Sequence, residues 1–360
     1  MEPNDHSVRP VEVVQQRHTP VGGEPAGRRR GVFGILAGII IAFCLLVIAV
    51  QMSVIVLQAI AFSDYFDTTE GLQERYHSLD KSARGKIAII EVSGVIMEGD
   101  GHVKHQIDRI RDDDDVKAVI VRIDSPGGTV TGSDYIYHHL CKLRDDRELP
   151  LVVSMGSVAA SGGYYVAMAV GDEEDSIFAE PTTTTGSIGV IIPHYDVTGL
   201  MEEWNVKDDS IASHPRKQML SMTRAMSDDD RTILESYVND AFDRFKEIVR
   251  SGRPSLRADD EKLTEIATGE IFSANQAEEH GLVDRIGFIE EAIERAAELA
   301  GLEIDAVRAV RYQRPVTLFD LAAGRAQSGG FNLATLLELS VPKAYYLNTT
   351  LPPLVTSFGR

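Results

Sequence analysis

Residues 154–165 read SMGSVAASGGYY, and their reading decides the fold. An apolar run at 149–154 enters a turn of small residues, and Ser161 stands where that turn opens into an apolar helix over 164–170. A serine at a helix start has unbonded backbone N–H groups beside it, and the helix dipole there favours negative charge. Those are the conditions for attacking a carbonyl and then holding the oxyanion that forms. The same residues also suit a plain N-cap serine followed by glycines that let backbones pack closely. The stretch therefore needs further features before it carries chemistry.

Working outward, apolar strands alternate with amphipathic helices. Strands are expected at 86–95 (KIAIIEVSGV), 117–123 (KAVIVRI) and 149–154, with short ones at 176–179 and 187–192. Helices are expected at 102–112, 131–144, 228–250 and 287–299, the third opened by Ser227 as N-cap with aspartates in its first turn. This alternation predicts an α/β fold with a mostly parallel sheet and flanking helices. The acidic runs at 112–115 and 228–230 read as solvated capping regions. Residues 64–84 are polar and read as a linker or juxtamembrane helix. The tail from Arg311 mixes apolar clusters with a glycine pair and reads as a docking segment within or between subunits.

Two more small-residue loops adjoin strands. Residues 124–128 (DSPGG) follow directly on the strand 117–123, where proline fixes one dihedral and the glycines admit close approach. Such a loop can present a backbone N–H to a developing oxyanion. Residues 182–188 (TTTTGSI) precede the expected strand at 187–192 and place Ser187 near its start. Loops at the strand ends of one α/β sheet converge on one edge, where sites form. The base for Ser161 stays open on these grounds. His194 and His214 have no orienting acid that the sequence identifies. Lys217 lies in a polar segment turning apolar (residues 210–221, SIASHPRKQMLS) beside Arg216. A lysine acts as base only when neutral, which burial or a neighbouring cation favours. Ser187 could position it.

Composition bounds the rest. The chain has 360 residues and a formal net charge of −19, which argues against nucleic acid as a partner. Of two cysteines, Cys44 lies in an apolar run and Cys141 in an expected helix, so no disulfide framework is implied. The histidine pairs 102/105 and 138/139 stand in no metal-ligand pattern, and no metal or cofactor is expected. Residues 1–30 read as a disordered tail rich in Pro, Gly and Arg. Arg28, Arg29 and Arg30 then abut an uncharged stretch that lasts until Asp64. About 20 apolar residues cross a bilayer as a helix. Residues 31–61 are therefore expected to form a retained transmembrane helix, with the arginines cytoplasmic and the remainder across the inner membrane. A cleaved signal peptide is the competing reading, given the small residues at 59–61, but both its charged and apolar parts would be unusually long.

Four motifs occur in order: DSPGGTV at 124–130, SMGSVAASGGYYVAMA at 154–169, TTGSIGVI at 184–191 and HPRKQML at 214–220. Together they resemble the signal peptide peptidase A family, over roughly residues 85–301. The resemblance implies a ClpP/crotonase-like fold and a Ser–Lys dyad. Its nucleophile matches Ser161, its general base Lys217, with Lys207 as the nearby alternative, and its supporting serine Ser187. Its oxyanion hole matches Gly127 or Gly128 together with Gly162. It further implies peptide substrates and a ring-like homo-oligomer whose subunits share the dyad. The expected organisation is then a cytoplasmic tail (1–30), an anchor (31–61), a linker (62–84), a peptidase domain (85–302) and a docking segment (303–360). The rival readings are an acyl-CoA hydratase-like enzyme on the same fold and a membrane scaffold that has lost catalysis.

Overall fold

A computed structural model describes residues 38, 41–53, 71–313 and 345–347. The chain divides into two units at residues 66 and 67. In the first unit, residues 41–53 are helical with exposed side chains, and the rest of the expected anchor lies outside the described residues. Among the described residues no helix is long and apolar enough to cross a membrane.

The second unit is built on a nine-stranded sheet. Its strands are β1 (Gln73–Leu79), β2 (Gly85–Ser93), β3 (Val116–Ser125), β5 (Leu151–Ala160), β6 (Ile177–Ala179), β7 (Thr184–Gly186), β8 (Ile271–Ser273), β9 (Arg285–Ile286) and β10 (Val307–Gln313). Strand β4 (Gly127–Thr129) stands apart and pairs with β11 (Tyr345–Leu347). The main order is β1-β10-β2-β3-β5-β6-β9, parallel except for β1, while β7 runs parallel to β5 and antiparallel to β8.

The long apolar runs of β2 and β3 bury both faces, as a parallel sheet between helices requires. Ala88, Ile90, Val119 and Val121 pack with α1 (His102–Arg111) and α2 (Val130–Arg147). Ile87, Ile89, Ala118 and Ile120 meet Ala292, Ile293 and Ala296 of α5 (Ile289–Leu299) on the other face. Helix α3 (Gly162–Ala167) is buried along its whole length, beside Phe245 of α4 (Asp228–Gly252). Ser227 caps α4, accepting from the Asp230 amide at 3.1 Å.

Several expectations are corrected. Residues 64–84 hold no helix among those described. β1 is an edge strand paired antiparallel with β10, so the sheet extends past both bounds of 85–302. The first part of the tail is thus a strand of the sheet. The strand expected at 187–192 is formed by Thr184–Gly186 instead. The strand expected to stop at 154 runs on to Ala160, through the small residues read as a turn.

β5 forks. Its residues Val153–Met155 pair with β6, and Val158–Ala160 pair with β7. The register against β3 slips between Ile123 and Ser125. The Asp124 carboxylate covers the slip, accepting from the Ser157 hydroxyl at 2.5 Å and the Val158 amide at 3.1 Å.

The acidic runs are not simply solvated. Asp230 is buried and ion-paired with Arg224. Asp113 binds Lys86 Nζ at 2.8 Å and accepts from the Tyr312 hydroxyl at 3.1 Å, while Lys86 also meets Glu74 at 2.8 Å. Burial pushes the Lys86 ammonium down, but the hydrogen bonds with Asp113 and Glu74 outweigh it and hold it above its usual value. Burial likewise pushes the Asp113 carboxyl up, and the Lys86 hydrogen bond outweighs it and holds it low. Asp113 therefore contributes stability present above about pH 4 and lost as pH falls through its depressed value. The Lys86 contribution is present below about pH 10 and lost as pH rises through its raised value. Lys86→Ala leaves the two carboxylates facing each other and is expected to cost about 3 kcal/mol, read from denaturant midpoints. Its acid limb below about pH 4 should flatten. An unchanged midpoint would show the cluster to be energetically neutral.

Candidate active site

Ser161 joins β5 to α3 in a left-handed backbone conformation, φ 53° and ψ −115°. Such a conformation costs a non-glycine residue about 1 kcal/mol and persists when neighbours over-determine it. The determinants are visible. The Ser161 amide donates to the Gly186 carbonyl at 2.8 Å, and its carbonyl accepts from the Tyr165 amide at 2.9 Å. The Ser161 side chain makes no hydrogen bond to the helix start, so the N-cap reading fails. The residue is only 1% exposed. The geometry is that of a nucleophile on a sharp strand-to-helix turn.

Ser187 is placed beside it by the fork in β5. Ala160 pairs with Gly186, so the next residues of the two chains, Ser161 and Ser187, leave the ladder side by side. Ser187 is also buried and left-handed, φ 53°, and its amide donates to the Glu270 carbonyl at 2.6 Å.

The glycine loop closes a third side. A Cβ on Gly162 would collide with the Ser133 hydroxyl and stand 3.1 Å from the Gly128 nitrogen. Glycine at 162 is thus required by the approach of the two loops. A Cβ on Gly128 would collide with the Ile96 carbonyl in the same way. Gly127 O accepts from the Ile96 amide at 2.9 Å, and the Thr129 amide donates to Ile96 O at 2.7 Å. Backbone groups alternate between the two edges of a strand, so the N–H and C=O of Gly128 face the opposite edge, where β11 lies. Between the two candidates from the DSPGG loop, Gly128 is the one whose amide faces that edge, because Gly127 N donates to the Ser125 hydroxyl at 3.1 Å.

Lys217 is not hydrogen-bonded to this cluster among the described residues. It sits in a short 3₁₀ turn (Pro215–Gln218), exposed, with no bond to Ser161 or Ser187. Lys207 is also exposed. The histidines are engaged locally: His194 Nε2 lies 3.2 Å from Ser221 O, and His214 Nδ1 accepts from the Arg216 amide at 3.2 Å. The segment around the lysine leaves apolar side chains in solvent. Trp204 is 76% exposed, and Leu200, Val206 and Ile211 are exposed with it. The acidic loop 171–176 is tied down by ion pairs of Asp172 with Arg257 and of Asp175 with Arg285. Sequence reasoning missed Ser125 and Ser133, the buried hydroxyls that flank the glycine loop. Their signal is spacing alone: each lies within five residues of Gly128 next to an apolar element.

Comparison with known proteins identifies the family. Residues 144–303, which hold Ser161, Ser187 and Lys217, match peptidase family S49. A Synechocystis protein that carries a provisional protease name is 39% identical over 257 residues, covering 71% of this chain and 88% of its own length. Protease 4 of Salmonella typhi is 34% identical over 227 residues, covering 61% of this chain and 35% of its own. The chloroplastic serine protease SPPA of Arabidopsis thaliana is 31% identical over 260 residues, covering 68% and 37%. The chain therefore spans little more than a third of those two longer relatives. With a serine strained at a strand-to-helix turn and a matching relative covered over most of its length, the chain belongs to peptidase family S49 and is a serine protease of that family.

Proposed function

We propose that the chain is a Ser–Lys peptidase that cleaves extended, hydrophobic peptides. The observation that carries this reading is the convergence of Ser161, Ser187 and the Gly128 amide at the forked end of β5. Ser161 Oγ attacks the peptide carbonyl as a neutral lysine amine takes its proton. The tetrahedral oxyanion is held by the Gly128 and Gly162 amides. The lysinium then protonates the leaving amine as the carbonyl reforms. A water, deprotonated by the same lysine, releases the acyl group from Ser161. The lysine is Lys217 of a neighbouring copy in a ring-like assembly, positioned by Ser187. The exposure of Lys217 and of Trp204, Leu200 and Val206 beside it supports a neighbour there. An extended substrate is supported by β11, a segment of the chain itself that adds antiparallel to β4 along the edge faced by Gly128. The ClpP/crotonase-like assignment rests on the parallel sheet and the forked strand that sets two loops against one helix start. The uncharged stretch after Arg28–Arg30 anchors the chain, with the catalytic domain on the far side of the membrane.

A fluorophosphonate probe reacts with a serine only where a base and an oxyanion hole activate it. On the assembled wild-type protein it should label Ser161, located by peptide mass mapping. No label, or a label on another serine, overturns the proposal. An acyl-CoA hydratase-like enzyme and an inactive scaffold would both leave Ser161 unlabelled.

A further inference from the structure

We infer that Gly186 is a positioning residue for the nucleophile, acting through the peptide unit that it forms with Ser187. The inference rests on the peptidase reading above. The direction of the Ser161 side chain is set by the two peptide planes that flank its Cα. Tyr165 holds the plane after it, its amide donating to the Ser161 carbonyl at 2.9 Å. Gly186 holds the plane before it, its carbonyl accepting from the Ser161 amide at 2.8 Å. A peptide unit is planar, so the Gly186 carbonyl and the Ser187 N–H turn together. That N–H donates to the Glu270 carbonyl at 2.6 Å. One rigid unit is therefore gripped at both ends, by the nucleophile's amide and by the residue that precedes β8. The same unit sets where the Ser187 side chain leaves the backbone.

Glycine is what lets the unit lie there. Gly186 is buried with φ 81°, and Ser187 follows with φ 53°, so the unit stands between two left-handed residues. A Cβ disfavours that conformation. A Cβ on Gly186 would also collide with the Phe272 ring and stand 3.1 Å from the Glu270 oxygen, the acceptor that fixes the unit. A side chain at 186 must turn the residue out of its left-handed conformation or push β8 away. Either movement shifts the Gly186 oxygen relative to the Ser161 amide. The preceding part of the ladder has its own tie, since the Thr185 hydroxyl donates to the Ala159 carbonyl at 2.6 Å. The displacement therefore falls on the end of β7, beside the two serines.

A displaced nucleophile slows the chemical step and leaves ground-state binding in place, and a misplacement of about 1 Å costs about 10²-fold. Gly186→Ala in the full chain is expected to lower kcat for a peptide substrate about 10²-fold, with KM within about twofold of wild type. Labelling of Ser161 by a fluorophosphonate should slow by a similar factor, while affinity for the product peptide stays unchanged. All constants are taken per assembled particle. Should the variant fail to fold or assemble, Phe272→Ala makes room for the new Cβ. The φ conflict and the Glu270 contact remain, so Gly186→Ala added to Phe272→Ala should still lower kcat about 10-fold or more against Phe272→Ala alone. A kcat within about threefold of the glycine-bearing parent, in either background, would overturn the inference. So would a loss of kcat matched by an equal loss of product affinity. A wild-type protein with neither hydrolysis nor fluorophosphonate labelling would instead overturn the peptidase reading itself.

Discussion

Ser161→Ala is expected to lower peptide hydrolysis by about 10³-fold or more while the fold stays intact. The hydroxyl has no hydrogen-bond partner among the described residues, so removing it orphans nothing. The backbone at 161 is left-handed for serine and alanine alike, and its strain is carried by the Gly186 and Tyr165 bonds in both. The change in stability should therefore stay within about 0.5 kcal/mol, which separates lost chemistry from lost folding. Single-turnover rates on a peptide substrate, with melting curves on the same sample, check both halves. A variant that keeps more than about a tenth of the wild-type rate would exclude Ser161 as nucleophile.

The second large effect concerns assembly. Lys217→Ala should be as inactive as Ser161→Ala. Lys217→Arg should not rescue it, since a guanidinium does not lose its proton at working pH. Among the described residues, though, Lys217 makes no hydrogen bond with either serine. If neighbouring copies complete each other, particles assembled from Ser161→Ala and Lys217→Ala chains should recover activity. Random mixing around a head-to-tail ring places an intact serine beside an intact lysine at about a quarter of interfaces, so recovery should approach a quarter of the wild-type rate. Mixed particles, verified by mass, that stay inactive would place both residues in one subunit or assign the base elsewhere.

The core of the domain was legible because its strands are long and apolar. KIAIIEV and KAVIVRI bury both faces and admit no other reading. Ser161 and Ser187 were legible from small-residue loops, and the structure sets them side by side. The second half of β5 was hidden because Ser, Gly and Ala have low strand propensity. That half is held by its ladder with β7 and by the Asp124 carboxylate, both tertiary effects. The β7 ladder lies at Thr184–Gly186, ahead of the more apolar residues that suggested it, because pairing with β5 places it there and the positive φ of Ser187 ends it. β1 (QERYHSL) is polar because it is an exposed edge, and nothing local distinguishes it from a linker. Asp113 and Asp230 looked solvated because the cations that cover them are supplied by tertiary packing and by a turn that the sequence does not reveal. The choice between Gly127 and Gly128 needed Ser125 and Ile96, whose hydrogen bonds no spacing rule reports.

The pairing of β1 with β10 sets the order in which the domain is completed. Gln73 lies opposite Gln313, so the first strand of the sheet can dock only after the last of these elements exists. Closing so long a loop is entropically costly and slow compared with local pairing. A chain made from its N-terminus offers β2, β3 and β5 to one another early, and these carry the nucleophile. β10, which also flanks β2, arrives at the end. The outer edge of β2 thus stays open throughout synthesis, a ready template for pairing with another chain. A chain truncated before residue 307 lacks β10 and leaves β1 without its partner, so that edge of β2 stays open.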